Sequence, residues 1–543
     1  VSFFSPFPDP RQLTLEQQVA QMMIVRASGH LFDHEIRYPV WEATGEMLRR
    51  WVEQGIGGVI LLGGSAAEIA LKTQRLQSWA SVPLLIAADI EEGVGQRFSG
   101  ATAFPPPMAL SAIAHHHPQQ AIALARAMGA VTAQEALAIG INWVLAPVCD
   151  VNNNAQNPVI NVRAFGETPE TVSQLAIAFL EGTQQYPVLA CAKHFPGHGD
   201  TATDSHLALP LISHAPQRLA AVEIPPFKAA ITAGVDSIMS AHLLIPAWDE
   251  RHPATLSPRI LTGELRQNLG FAGLIVTDAL IMGAIAQRYG VSEAPVMAVE
   301  AGADMLMMPV DVEAAIQAVC DAVRSGRIPQ SQIEASVQRI WQAKQKLVAG
   351  SLSGDSTHHW ELTAPPMQIE QLARPEARAI AAEILNQSMQ IYAAPGAAFP
   401  TANQPWQNVI VTDSILDGEL HSASPAIALP QQSGCSLTIL DRHTPPNVIP
   451  LLVGDRPALL QLFVRGNPFR GSAGLTQIAQ DTFQVLLRAN QLKALLVYGS
   501  PYLLQDFLPH LPAEVSTVFT YGQTEQAQAI ALQAWRQSLS SPG

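Results

Sequence analysis

The chain has 543 residues, 48% hydrophobic and only 14% charged, with a formal net charge of −14, and that length predicts two or three domains rather than one core. Lys and Arg never gather beyond a neighbouring pair, which argues against a nucleic-acid partner, because phosphate binding needs a concentrated positive surface. No run of eighteen apolar residues occurs, so no membrane span is expected.

In chain order, short apolar runs rich in Val, Ile and Leu alternate with longer stretches of helical spacing. The runs are QMMIVRA (21–27), GGVILLG (57–63), PLLIAADI (83–90), NWVLAPVCDV (142–151), VLACAKHF (188–195), DSIMSAHLL (236–244), GLIVTDAL (273–280) and ADMLMMPV (303–310). Continuous apolar runs of this length suit strands buried on both faces, as in a parallel sheet. Helical spacing over 46–55 and 118–140 ends each time at a glycine, Gly55 and Gly140. Eight strands in about 310 residues match a (β/α)8 barrel of the TIM type, with an open doubly wound sheet as the plainer alternative. A Gly-, Ser-, Thr- and Pro-rich stretch over 350–366 reads as a linker between a barrel domain (1–349) and a smaller α/β sandwich domain (367–543). The second domain shows five more strand-like runs and a terminal helix.

Four cysteines, Cys149, Cys191, Cys320 and Cys435, are scattered without a C-x-x-C pair, so no disulfide framework is expected. The chain begins at Val1 rather than Met, so residues ahead of it are expected to have been removed, and a signal peptide would be out of view. A cytoplasmic location is expected ahead of a periplasmic or secreted one. The oligomeric state is not readable.

Polar residues fall at the carboxyl ends of the apolar runs: Asp89, Asp150, His194, His242 and Asp278. In (β/α)8 barrels the chemistry gathers at that end. The densest stretch is KHFPGHGDTATDSH, from Lys193 to His206. A zinc pair on one helix face is not available, because Pro196, Gly197 and Gly199 break any helix between His194 and His198. No metal and no cofactor are expected. A polar loop would explain His198 between two glycines, but explains the whole set poorly. An acid–base site fits better: Asp204 and His206 are two apart, and a carboxylate beside an imidazole stabilises its protonated form. Asp278 is the candidate partner across a scissile bond, with a helix N-cap for the segment from Ala279 as its plain alternative.

These motifs are similar to those of family 3 glycoside hydrolases. KHFPGHGDTATDSH resembles the signature of the β-N-acetylhexosaminidase branch of that family. LTLEQQVAQMMIV (13–25), FPPPMALSA (104–112), NWVLAPVCDVNNNAQNPVINVRAFG (142–166), LSPRILTGELRQNLGFAGLIVTDALIM (256–282) and AGADMLMMP (301–309) extend the resemblance to about residue 345. It implies a retaining, exo-acting β-N-acetylglucosaminidase that acts on terminal β-linked GlcNAc of muropeptides or chito-oligosaccharides. It further implies Asp278 as the nucleophile, His206 as the acid/base and Asp204 as its dyad partner. Lys193, His194, Arg163 and Asp89 match residues that hold the sugar. His198 matches a loop-shaping position, and Asp200 matches no role. One departure stands out: the family's D-x-E-G-G reads here as DIEEG, with Glu92 in place of the first glycine, so Glu91 and Arg97 receive no role.

Three other functions share these residues or part of them. A β-N-acetylglucosaminide phosphorylase would use the same site, with phosphate in place of water. A β-glucosidase of the same family is disfavoured by the DSH motif. A non-enzymatic sugar-binding protein would have to lack a catalytic residue, and Asp278, Asp204 and His206 are all present.

Overall fold

A computed structural model describes residues 8–205, 207–350, 368–394, 399–401, 403–404, 406–415, 420–452, 456–465 and 476–539. Its first half is an eight-stranded parallel sheet in the order β7-β6-β5-β4-β3-β2-β1-β8. The strands are β1 (Met23–Ser28), β2 (Gly58–Leu62), β3 (Leu85–Ala88), β4 (Trp143–Val144), β5 (Leu189–Phe195), β6 (Ser237–Ser240), β7 (Leu274–Thr277) and β8 (Leu306–Met307). Each of the eight apolar runs holds one of them, β1 extending one residue past its run. β4 and β8 keep only two residues of regular ladder, fewer than their apolar runs suggest.

A bridge between Val276 and Met305, with Thr277 N–H donating to the Met305 carbonyl at 3.0 Å, brings β8 beside β7 and nearly closes the barrel. A repeated device fixes the register at the opposite rim. The residue ahead of β4, Asn142, accepts the N–H of Ile86 in β3 at 2.7 Å. Asp236, ahead of β6, accepts that of Ala190 in β5, and Asp304, ahead of β8, accepts that of Ile275 in β7, both at 2.9 Å. In each case a side chain satisfies a strand N–H that the neighbouring strand begins too late to reach.

Helices surround the barrel. The helix Gly45–Gln54 ends at Gly55, whose φ of 91° is the left-handed conformation that glycine adopts without strain. The helices Pro118–Ala138 and Pro169–Thr183 lie in close contact through two glycines. A Cβ on Gly129 would come within 2.0 Å of the Phe179 carbonyl oxygen, and one on Gly182 within 2.0 Å of that of Arg126. The Met-rich run before the linker is core, as Met305 and Met307 are buried. All four cysteines are buried and free, and among the described residues no helix is long and apolar enough to cross a membrane.

The last barrel helix runs over Gln330–Gly350. The expected linker, from residue 351 onward, lies outside the described residues. The chain resumes against the barrel, where Gln368 N–H meets the Ala138 carbonyl at 3.1 Å and Ala373 N–H meets Glu135 at 2.7 Å. It then forms a six-stranded mixed sheet from β9 (Gln390–Tyr392), β10 (Gln407–Thr412), β11 (Ser436–Leu440), β12 (Ala458–Val464), β13 (Leu492–Gly499) and β14 (Ser516–Thr520). The order is β11-β10-β12-β13-β14-β9, parallel except for β9. The five expected strands and the terminal helix Glu525–Ser538 are present. β9 is an addition: three residues at an exposed edge, too short to show a pattern.

Both glycine contacts leave no room for a side chain. Gly129→Val should lower unfolding free energy by about 3 kcal/mol, the upper range for overpacking. Urea denaturation measures it, and an unchanged midpoint would contradict the helix contact.

Candidate active site

The expected polar residues meet at the carboxyl-terminal rim of the barrel. Lys193, near the end of β5, is 1% exposed, and its Nζ lies 2.7 Å from Oδ1 of Asp89 and 2.6 Å from Oε1 of Glu91. Glu91 is also buried, and it receives two parallel hydrogen bonds from Arg163, Nε at 2.8 Å and Nη2 at 2.7 Å. Arg163 Nη1 donates to the Val159 carbonyl at 3.0 Å, which fixes the fork. Arg97 Nε donates to the Asp89 carbonyl at 3.0 Å. Glu91 and Arg97, for which the sequence offered no role, therefore hold the residues that were expected to hold the sugar.

Burial opposes ionisation throughout this cluster, and ion pairing outweighs it. Desolvation raises the Glu91 carboxyl, but Arg163 and Lys193 bring it well below its ordinary value. Asp89 is lowered by Lys193 and Arg97 against the same penalty. Lys193 is raised, because the two carboxylates overcome the cost of burying its ammonium. The Asp89 side chain remains about a third exposed, at 32%, and is the member of this set open to a ligand.

Asp150, 0% exposed, organises the start of the histidine-rich loop. One carboxylate oxygen accepts the backbone N–H of His194 at 3.1 Å and of His198 at 2.7 Å, and the other accepts Nδ1–H of His194 at 2.8 Å. A carboxylate that serves His194 this way leaves Nε2, across the ring, as its remaining hydrogen-bonding atom. The two histidines that might have shared a metal share a carboxylate. His198 is buried, with Nδ1 2.9 Å from the Thr201 hydroxyl and Nε2 3.0 Å from that of Ser205. Desolvation pushes its pKa down to about 4, against the opposing pull of Asp150. Asn157 ties the same loop down from outside, donating to the carbonyls of His198 at 2.8 Å and Gly199 at 2.9 Å. Gly199 lies so close to the Val151 carbonyl that a Cβ would come within 1.7 Å.

Further along the loop, Asp204 and Ser205 are buried, at 3% and 1% exposure. His206 lies outside the described residues. Asp200 pairs with His214 at 2.7 Å and with Arg218 at 3.5 Å, which anchors the loop to the helix Pro216–Val222.

Asp278 follows β7 and is partly exposed. Its backbone N–H reaches the Ser240 carbonyl at 3.2 Å, and its Oδ1 accepts the N–H of Ala279 at 2.8 Å. The helix after it starts only at Gly283, capped by Met282, so Asp278 is not a helix N-cap. Buried His242, at the end of β6, holds the next residue. Its Nε2 lies 2.9 Å from the Ala279 carbonyl, which can only accept, so that nitrogen carries the proton, while Nδ1 faces the Thr255 hydroxyl at 2.8 Å.

The second domain reaches this rim from its own strand ends. Arg465, after β12, forms two bonds to Glu92, and Tyr502, in the helix after β13, donates to Glu167 at 2.6 Å and accepts from Asn152 at 2.9 Å. Neither residue carried a sequence signal, because each works only once the two sheets face each other.

Residues 14–343 match the profile of the glycosyl hydrolase family 3 N-terminal domain, and residues 400–536 that of the bacterial glycosyl hydrolase family 3 C-terminal domain. The chain is 35% identical over 329 residues to beta-hexosaminidase A of Pseudoalteromonas piscicida, a match that covers 55% of this chain and about half, 54%, of that protein. It is 38% identical over 264 residues to a beta-hexosaminidase of Thiobacillus denitrificans, covering 48% of this chain and 73% of the relative. Among solved structures, a family 3 beta-N-acetylglucosaminidase from a Paenibacillus species superposes with a TM-score of 0.76 at 30% identity over 97% of both chains. A beta-glucoside phosphorylase shares the fold, with a TM-score of 0.80 at 22% identity over 98% of this chain and 93% of that one. With its barrel and its second domain both matched, this chain belongs to glycoside hydrolase family 3.

Proposed function

We propose that the protein is a retaining, exo-acting β-N-acetylglucosaminidase that removes terminal β-linked GlcNAc from muropeptides or chito-oligosaccharides. The observation that carries this reading is the meeting, on one barrel rim, of a partly exposed Asp278 with the ion-paired set Asp89, Lys193, Glu91 and Arg163. The names of the relatives at 30–38% identity support the GlcNAc preference.

In this mechanism Asp89 accepts hydrogen bonds from sugar hydroxyls, and His194 offers Nε2 from a ring that Asp150 holds in place. Lys193 and Arg163 keep the carboxylates ionised and fixed, so no reorganisation is needed when sugar arrives. The Asp278 carboxylate attacks the anomeric carbon and forms a glycosyl ester. His206 donates a proton to the departing glycosidic oxygen, and Asp204 stabilises the imidazolium before that transfer. His206, now neutral, then takes a proton from water as that water attacks the ester, which restores Asp278 and retains the anomeric configuration. His242 keeps Ala279, and with it the Asp278 backbone, from shifting.

A histidine acid/base places no negative charge beside the acceptor, so phosphate is a possible competitor of water. Release of free GlcNAc in phosphate buffer agrees with hydrolysis, and GlcNAc 1-phosphate would replace it with phosphorolysis.

Asp278→Asn should reduce turnover of an aryl β-N-acetylglucosaminide below detection while far-UV circular dichroism stays native, and near-normal activity would remove Asp278 as nucleophile. His206→Ala should lose roughly 10²–10⁴-fold on chitobiose, the range for a positioned acid or base, and far less on a nitrophenyl glycoside whose leaving group needs no proton. Equal losses on the two substrates would leave His206 a structural role only.

The loop carrying this dyad should also be acid-sensitive. His198 has a folded-state pKa of about 4 against an ordinary 6.5, so below pH 6.5 the unfolded chain takes up a proton that the folded chain refuses. Its stabilisation is complete above that pH and is lost as pH falls towards 4, by about 3 kcal/mol over the window. Unfolding free energies of wild type and His198→Gln, measured from pH 7 to 4, should converge on acidification, and parallel curves would contradict a buried neutral His198.

A further inference from the structure

Glu92 and Arg465 are 373 residues apart in sequence, and together they make the most buried ion pair between the two domains among the described residues. Their side chains are 8% and 15% exposed, and the guanidinium bonds both carboxylate oxygens, Nη1 at 3.0 Å and Nη2 at 2.6 Å. A two-pronged pair of this kind fixes direction as well as distance.

Glu92 is not simply a surface handle for the second domain. Its backbone closes the turn that follows β3, with its N–H on Gln96 Oε1 at 3.0 Å and its carbonyl accepting Phe104 N–H at 2.8 Å. Within four residues this turn carries Asp89, which faces Lys193, Glu91, which bridges Lys193 and Arg163, and then Glu92. Three carboxylates so close together repel one another, and each has a cationic partner: Lys193, Arg163 and Arg465. The first two partners come from the barrel and the third from the second domain. Without Arg465, a buried carboxylate would stand unpaired one residue from Glu91. It would either draw Arg163 away or turn the backbone to reach water, and both movements displace Asp89.

From this we infer that Arg465 is a positioning residue for the sugar subsite: by holding Glu92 it fixes the 89–92 turn, so the second domain takes part in binding without touching the sugar. The inference rests on the assignment of Asp89 to that subsite.

The test uses the full chain with four variants: Arg465→Gln, Glu92→Gln, the double variant Glu92→Gln/Arg465→Gln, and Asp89→Asn. GlcNAc affinity is measured by calorimetry, KM and kcat with a nitrophenyl β-N-acetylglucosaminide, and Tm by scanning. Arg465→Gln should weaken GlcNAc binding about tenfold, the size expected for coupled groups in one network, and raise KM more than it lowers kcat. The double variant, which leaves no unpaired charge, should bind GlcNAc more tightly than Arg465→Gln alone. Recovery of this kind is not expected if Arg465 only clamps the domains together, because both variants break that clamp. If Arg465→Gln lowers Tm but keeps wild-type KM and GlcNAc affinity, or if the double variant binds as weakly as Arg465→Gln, the inference is overturned. If Arg465→Gln fails to fold, Arg465→Lys, which keeps the charge and loses the two-pronged bond, should show a smaller rise in KM, and no rise would overturn it. Asp89→Asn separates the two levels. Wild-type GlcNAc affinity in that variant would remove the subsite assignment itself, whereas weakened binding there with normal binding in Arg465→Gln would remove only the role of Arg465.

Discussion

Lys193 places an ammonium group where water barely reaches, and the rim of the barrel is organised around that cost. A lone buried charge of this kind is strongly destabilising, and breaking one partner from such a pair commonly costs about 3–5 kcal/mol. Asp89 and Glu91 remove the penalty together, but two carboxylates on one ammonium leave an excess of negative charge. Arg163 absorbs it by gripping Glu91 with two bonds. The set is then neutral and rigid, and Asp89 keeps part of its side chain exposed. In the proposed mechanism, sugar recognition and the electrostatics of folding fall on the same four side chains, so a substitution at any of them is expected to disturb both.

Asp150 solves a related problem with a single carboxylate. The loop after β5 leaves the strand through Pro196 and two glycines, a sequence that cannot continue regular structure and would otherwise wander. Asp150 accepts three N–H groups around this exit, the backbone and ring N–H of His194 near the end of β5 and the backbone N–H of His198 in the loop. Gly199 lets the chain pass against Val151 at a distance no side chain allows. The glycines and Asp150 thus depend on each other: close approach brings the N–H groups within reach, and the carboxylate makes that approach favourable.

How much of this was readable beforehand follows from the range of each interaction. The eight strands were readable, since burial on both faces leaves an apolar run, and so was the position of Asp89, Asp150, His194, His242 and Asp278 at or beyond the strand ends. What Asp150 and His242 do was not, because their partners come from elsewhere in the barrel: His198 folds back onto Asp150, and Ala279 follows β7 whereas His242 follows β6. β9 escaped because a three-residue edge strand carries too little pattern. The resemblance to a family supplied roles for Lys193 and Arg163, yet it was silent at Glu91 and Arg97, next to the point where Glu92 departs from the familiar motif. Arg465 gave no local sign at all, as a lone arginine after an apolar strand is unremarkable until a partner appears across the domain boundary.

That boundary explains why the polar ends of two sheets should meet. Parallel strands leave their carboxyl ends with loops rather than ladders, and loops can carry polar residues that a core cannot. In the barrel these loops bear Glu92, Asn152 and Glu167; beyond the second sheet's strand ends lie Arg465, in the segment after β12, and Tyr502, in the first turn of the helix after β13. A cluster of acidic loops alone would have to be solvated, which would leave it mobile. Covered by a second domain that brings a guanidinium and a hydroxyl, the same loops become partly buried and directional. Departure from glycine at position 92 then has a physical meaning: a side chain there is tolerable only where something across the interface can neutralise it, and Arg465 does.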